Sequence, residues 1–383
     1  MQGMTWPGSI LGTALLLGVL ASYFYPWIAG LLLSSWRREK PARESASGEL
    51  PPVTLLRPVK AGVPALREKL EALAGAMRPG DQLVLGADEG SEEMSACNGL
   101  RLAHPGREIS AVSCRPGAAL NPKISKLVQM APHARHDRWI LSDSETLIYA
   151  AWLDSFRREW LAGGADALTA GYRFLNLGTW PQRLDAAATL LTLWPGLAVR
   201  RCFGRLDFTL GACTGLRRQD VEAVGGWAAF GDFLAEDNRL GSALAKAGRT
   251  IRLSTEVATL DSDPLTWRDY WRHQRRVAVT YRVCNPAGFA AMICTNGFVA
   301  SVLPTVYAAS WVVCAAMSQV IRWWMFRDLA KQLRFPIAWL FPVMLVASGV
   351  EIACWCAAWF DRRVWWAGRR WRVSRAGRLT PEA

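Results

Sequence analysis

The residues best suited to chemistry stand at the end of one apolar run, Arg138-Trp-Ile-Leu-Ser142-Asp143-Ser-Glu145. Trp139, Ile140 and Leu141 read as a short buried strand. Asp143 and Glu145 follow it with one serine between them. Residues two apart in an extended chain point the same way, so both carboxylates can converge on one ion. Two hard oxygen donors suit Mg²⁺ or Mn²⁺ carried by a phosphate ligand. Three further clusters fall at predicted strand or helix ends: Arg57-Pro-Val-Lys60, Asp88-Glu89 and Asn121-Pro-Lys123. Ligands bind beyond the carboxyl ends of strands in open α/β sheets. Gathered there, these groups would make a nucleotide pocket, with acids for base, ribose and metal and Lys123 for charge.

A second set lies further on. The small residues of Leu210-Gly-Ala-Cys-Thr214-Gly215 permit close backbone approach to a ligand. Glu236 and Asp237 precede a predicted helix over 238–247, which Gly248 stops. Helical neighbours diverge by about 100°, so one of the two acids is expected to face a pocket. A carboxylate there could take a proton from a hydroxyl attacking a sugar carbon. In Trp271-Arg-His273-Gln-Arg-Arg276, guanidinium groups could clamp a leaving pyrophosphate; the alternative is a basic stripe against lipid head groups.

The elements that must position these residues alternate. Strands are expected at 53–56, 82–87, 109–113 and 139–142, and helices at 64–77, 123–130 and 149–161. Such alternation predicts a largely parallel α/β sheet.

Around it the chain is apolar. It has 383 residues, 51% of them hydrophobic, with 20 tryptophans and a net charge of +13. Residues 10–36 carry no charge and are long enough to span a bilayer. Arg37, Arg38, Lys40 and Arg43 follow, which by the positive-inside rule places the next domain in the cytoplasm. The expected order is an anchor (1–36), a polar linker (37–52), a catalytic domain (53–285), two or three transmembrane helices (286–361) and a basic cytoplasmic tail (362–383). Within the third part, 287–321 is an uncharged stretch broken by Pro304, and 335–360 is a span interrupted by Glu351. Residues 186–199 are apolar but too short to span, and flanking arginines favour an interfacial helix over a core one. The nine cysteines include no CxxC pair, so neither a zinc site nor a disulfide framework is expected.

With these residues in view, the chain resembles the ceramide glucosyltransferase family and is similar to bacterial hopanoid-pathway glycosyltransferases. The resemblance runs from about Val53 to the basic tail. Asn121-Pro-Lys-Ile-Ser-Lys resembles the family's Asn-Pro-Lys-Ile-Asn-Asn, and Cys213-Thr-Gly, Val224-Gly-Gly and Ala235-Glu-Asp-Asn resemble its acceptor-side block. The resemblance implies a GT-A (Rossmann-like) α/β domain that transfers a hexose from a UDP-sugar to a lipid hydroxyl with inversion, in a multi-pass protein of a bacterial inner membrane. By the match, Asp88 and Asp143 bind the nucleotide sugar together with Arg57, Lys60 and Lys123. Asp143 and Glu145 hold Mg²⁺ or Mn²⁺, and Asp237 is the base. Glu236, His273 and Arg276 stand on the acceptor and pyrophosphate side. Hopanoid or diacylglycerol are alternative acceptors. Valine 277 stands where the family's late motif has tryptophan, and Glu145 where relatives have aspartate or glycine. The remote alternatives are a non-catalytic scaffold or a nucleic-acid binder; acids at the strand ends would repel phosphate without a metal and oppose the latter.

Overall fold

The computed structural model describes residues 10–38 and 50–382, except 203, 205, 262–264, 297, 299–301, 303–304 and 306–308. Most of the expected linker, and Pro304, lie outside the described residues.

Eight strands form one sheet: β1 (Thr54–Pro58), β2 (Gln82–Asp88), β3 (Glu108–Cys114), β4 (Arg138–Ser142), β5 (Thr146–Leu147), β6 (Ala167–Phe174), β7 (Cys213–Arg217) and β8 (Ile251–Leu260). Their order is β3-β2-β1-β4-β7-β6-β8-β5. The half from β3 to β4 is parallel, as the alternating pattern predicts. The other half departs from it. β7 runs antiparallel to both β4 and β6, and β5 is antiparallel to β8, so the sheet is mixed. The connection from β6 to β7 runs through helices Trp180–Ala188 and Trp194–Cys202, and the chain comes back beside β6 in the opposite direction.

Alternation along the strands builds two cores. Leu55, Leu83 and Leu85 point to one face, against helices Leu66–Ala76, Glu92–Ala103 and Ala150–Ala162. Leu56, Val84, Trp139 and Leu141 point to the other, where helix Pro122–Met130 and a bundle of apolar helices cover them.

That bundle fuses the sheet to the apolar parts of the chain. Helix Ile10–Arg38 packs on Val312–Gln332 and on Trp194–Cys202, with Trp36 and Trp194 rings 5.2 Å apart. Helices Gly12–Trp36 and Ile337–Phe360 are long and apolar enough to cross a membrane. Within the uncharged stretch 287–321 the described residues include helix Pro286–Thr295 and the start of Val312–Gln332. One expectation changes here. The segment 186–199 is a wall between sheet and bundle and not a surface helix, because Leu190, Trp194 and Leu197 are buried. A π turn at Thr189–Leu193 joins its two α-helical halves, and such turns recur at functional sites.

The basic tail is also no tail. Residues 362–383 contain a three-stranded antiparallel sheet, β9 (Arg363–Trp366), β10 (Arg369–Val373) and β11 (Leu379–Pro381). β10 alternates Arg370 and Arg372 outward with Trp371 and Val373 inward, where they pack on Leu234, Val279 and Val283. Trp371→Ala is therefore expected to cost about 3–5 kcal/mol, the usual cost of emptying a buried tryptophan site. An unchanged midpoint in chemical denaturation would contradict this packing.

Candidate active site

Asn121 begins the site. Its side-chain oxygen caps helix Pro122–Met130, accepting from Lys123 N (2.9 Å) and Ile124 N (3.3 Å), with Pro122 preset in the first turn. Its amide donates outward to Phe233 O (2.9 Å) and Glu236 Oε2 (3.1 Å). One buried asparagine thus ties the start of this helix to the loop that carries Glu236 and Asp237. The three-stranded C-terminal sheet holds the same loop from the other side. Leu234 N donates to Gly377 O (3.1 Å), Leu379 N to Asp232 O (2.6 Å), and Arg378 pairs with Asp232 (3.1 Å).

Lys123 reaches from the capped turn into a ring of acids. Its ammonium lies 2.7 Å from Asp143 Oδ1 and 3.1 Å from Glu236 Oε1. Asp237 completes the ring. A Cβ placed on Gly211 would sit 3.0 Å from Asp143 Oδ2, 3.4 Å from Asp237 Oδ2 and 3.4 Å from Lys123 Nζ. Three side chains from distant parts of the sequence therefore converge on one glycine, which leaves the space a side chain would fill. Glu236 and Asp237 both lie in the first turn of helix Glu236–Lys246, not before it; Glu236 pairs with Lys123, and Asp237 faces the same glycine. Burial disfavours the Lys123 ammonium, but Asp143, Glu236 and Asp237 more than reverse that and hold its pKa up. Asp237 moves the other way for a carboxylate. Burial first, then the neighbouring Glu236, push it up to about 7, against the pull of Lys123.

The remaining residues expected on the donor side spread along the same edge. Asp88, at the end of β2, pairs with Lys126 (2.8 Å), one helical turn beyond Lys123. Lys60 forms an ion pair with Glu145. Arg57 departs from expectation. It is fully buried, donating to Ser142 Oγ (3.1 Å) and Thr146 O (2.9 Å), so it braces the Asp143–Glu145 turn from beneath instead of facing a ligand. The turn closes with Thr146 N on Asp143 O (3.0 Å).

Among the described residues no three His, Cys, Asp or Glu side chains are grouped to hold a metal. Asp143 and Glu145 are two hard donors, each now facing a lysine. That set does not make a dedicated cage. It does fit an ion of the Mg²⁺ type, which takes one or two carboxylates and completes its shell with substrate phosphates and water.

Arg276 and His273 occupy the opposite wall. A guanidinium only donates, so Arg276 Nη2 gives its hydrogen to His273 Nδ1 (3.0 Å), and His273 Nε2 carries the proton that faces Asp185 (3.4 Å). Burial, Arg276 and Lys60 push His273 down to about 3, so it is neutral. Arg276 lies close enough to Glu236, Asp185 and Glu145 for their charges to offset part of its burial penalty.

Beyond them opens a cavity. Asp185, His273, Gln274, Thr189 and Glu351 make one side polar; Phe174, Val277, Phe289, Met292 and Trp355 make the other apolar. Asp185 went unread in the sequence, although an aspartate inside Leu184-Asp-Ala-Ala-Ala188 is a lone charge in an apolar run. It is buried, takes the Gln274 amide at 2.7 Å, and is pushed up to about 7 chiefly by burial.

Residues 15–379 match the family described as Glycosyl transferase family 21. The chain belongs to this family, that of the ceramide glucosyltransferases. As a family 21 glycosyltransferase it is also 24% identical over 251 residues to the probable glycosyltransferase YdaM of Bacillus subtilis, an alignment covering 64% of this chain and 58% of that protein. Its fold is similar to that of the mannosyltransferase PcManGT of Pyrobaculum calidifontis, solved with GDP-Man and Mn²⁺, with a TM-score of 0.56, 16% identity, and coverage of 91% of this chain and 98% of that one. The eight-stranded sheet of the family 21 chain is thus a GT-A sheet.

The Asp237 shift carries a stability consequence. Its pKa is raised from 3.8 to about 7, so the unfolded chain gives up this proton first and stability falls as pH rises between the two values. Asp237→Asn removes that penalty. The variant should melt higher than the parent at pH 8, with the gain shrinking toward pH 4; a gain equal at both pH values would contradict the assignment.

Proposed function

We propose that this glycosyltransferase transfers one hexose from a UDP-sugar to the hydroxyl of a membrane lipid, inverting the anomeric carbon. The observation that carries the reading is the Lys123 ring together with an amphipathic cavity whose lining residue Tyr172 feels the charge of Asp237. Asp88, Lys60, Lys123 and Asp143 hold the nucleotide diphosphate, and Arg57 keeps the Asp143 turn in place. Asp143 and Glu145 would hold Mg²⁺ or Mn²⁺ on the diphosphate, where the ion supplies charge to the leaving group. Arg276, fixed by its bond to His273, adds a second cation on the leaving side.

Asp237 acts as the base. The lipid oxygen forms its bond to the anomeric carbon as the bond from that carbon to the phosphate oxygen breaks; UDP leaves with the electron pair and Asp237 takes the hydroxyl proton. A carboxylate with a pKa near 7 is matched to this task, basic enough to accept a proton yet about half ionised at neutral pH. The cavity brings the hydroxyl to headgroup depth while the chain lies among the apolar helices. Basic residues after the first apolar helix favour a cytoplasmic catalytic domain in a multi-pass protein.

The test is transfer by purified protein in nanodiscs, given UDP-[¹⁴C]glucose and a mixed lipid extract. A radiolabelled lipid should form, at a rate climbing through a midpoint near pH 7, and Asp237→Asn should lower the rate by roughly 10²–10⁴-fold. No labelled lipid from the parent protein would overturn lipid transfer. A variant within about threefold of the parent would remove Asp237 as the base, given the same range for general bases.

A further inference from the structure

The outer face of the C-terminal sheet has no part in sugar transfer. Pairing sets Arg363 opposite Arg372 and Trp365 opposite Arg370. All four side chains are exposed, because Val364, Trp371 and Val373 take the inward positions of the same two-residue alternation. Two acids stand near. Asp361 is held by Arg275 (3.4 Å) and Arg363 (2.9 Å), and the charge of Glu382 falls on Arg363. Among the described residues no ion pair holds Arg370 or Arg372. The place of this face in the chain is as informative as its charge. Only Asp361 and Arg362 separate the apolar helix Ile337–Phe360 from β9. β9 therefore starts within about 10 Å of the apolar end, in or just above a head-group layer roughly 5–8 Å deep. Phe360 is 92% exposed and Trp359 partly so, the aromatic edge expected where a span meets water. Helix Trp267–Cys284 fixes the sheet at that end: Arg282 donates to Ala358 O and to Trp359 O (3.0 Å), and Arg272 lies over the Trp365 ring (4.5 Å).

We propose that this face binds the phosphates of anionic phospholipids in the leaflet where helix Ile337–Phe360 ends. The inference rests on that helix crossing the bilayer, and not on the identity of the sugar or its acceptor. Guanidinium groups grip phosphate through paired N–H bonds, and an exposed tryptophan beside them suits a boundary that is apolar on one side and wet on the other. A zwitterionic head group also offers phosphate but carries its own cation, so the face selects by net charge. Each basic side chain near an anionic surface strengthens binding about fivefold, which makes Arg370 and Arg372 together worth roughly thirtyfold. The same guanidinium groups would fit the phosphates of a duplex, but their place at the end of a span favours lipid. The sheet also grips residues 232–235, through Leu234 N on Gly377 O (3.1 Å) and Leu379 N on Asp232 O (2.6 Å). Once docked on lipid, it fixes the height of the loop that carries Glu236 and Asp237.

The test uses two photoactivatable phospholipids with the same chains and a diazirine beside the head group, one a phosphatidylglycerol and one a phosphatidylcholine. Each is mixed at low fraction into phosphatidylcholine nanodiscs that hold the full-length protein, with no sugar donor, and the labelled peptides are mapped by mass spectrometry. The phosphatidylglycerol probe should label residues 363–373 at least tenfold more than the phosphatidylcholine probe, less than the roughly thirtyfold expected of two arginines because neutral lipid competes. Added salt should shrink the ratio by screening. Arg370→Gln combined with Arg372→Gln should bring it toward one, and the fold should hold because both side chains are exposed. Arg67→Gln combined with Arg101→Gln removes the same charge from exposed positions elsewhere and should leave the ratio unchanged. Both probes should label the end of the 337–360 span alike. Equal labelling of 363–373 in the parent, or a ratio that survives loss of Arg370 and Arg372, would overturn the proposal while the labelled span leaves the membrane reading intact. A span that takes no label would overturn both. Displacement of the label by duplex DNA at matched phosphate would assign the face to nucleic acid instead.

Discussion

Three carboxylates from two parts of the fold gather around the ammonium of Lys123, two of them paired with it, and the candidate site depends on that gathering. Asp143 comes from the end of β4, and Glu236 and Asp237 from the first turn of a helix nearly a hundred residues later. Without a cation among them they would repel one another in a partly buried space, where such repulsion is poorly screened. Lys123 can stand there because Asn121 caps its helix and binds the Glu236 loop with the same side chain. The ring is therefore a stabilising cluster whose cation, in the proposed reading, would find an alternative anion in a diphosphate.

The second constraint is where this ring lies. The segment 180–202 stands between the sheet and the apolar helices, and its π turn places Thr189, Thr192 and Leu193 on the cavity wall. The chain Arg276–His273–Asp185 then connects the charged side of the site to the amphipathic side. The C-terminal sheet adds a third support, fastening residues 232–235 from below. A loop so held can present two adjacent acids without losing its shape.

Much of this was legible in the sequence, for identifiable reasons. Each parallel strand is an apolar run ending in polar residues, so β1, β2, β3 and β4, and the acids that follow β2 and β4, could be read directly. The closeness of Gly211 to its neighbours was foreshadowed by the small residues around it. Other parts were hidden. Cys213–Arg217 contains Gly215 and few branched residues, and reads as a loop; only its pairing with β4 and β6 makes it a strand. The arginines of β10 mask a strict two-residue alternation, so a packed sheet resembled a basic tail. Arg57 looked like a phosphate ligand because a sequence does not reveal which way a strand residue points. Asp185 and Glu351 are single charges in apolar stretches, and their meaning appears only when the helices bring them to one cavity.

In the proposed reading Asp143 belongs to the nucleotide side of the ring and Asp237 to the acceptor side. Calorimetric titration of UDP with Mn²⁺ into the parent protein, Asp143→Asn and Asp237→Asn separates them. Asp143→Asn should weaken UDP binding by tenfold or more, about 1.4 kcal/mol, while Asp237→Asn should bind UDP at least as tightly as the parent. Equal affinity of Asp143→Asn and the parent, or a loss confined to Asp237→Asn, would contradict it.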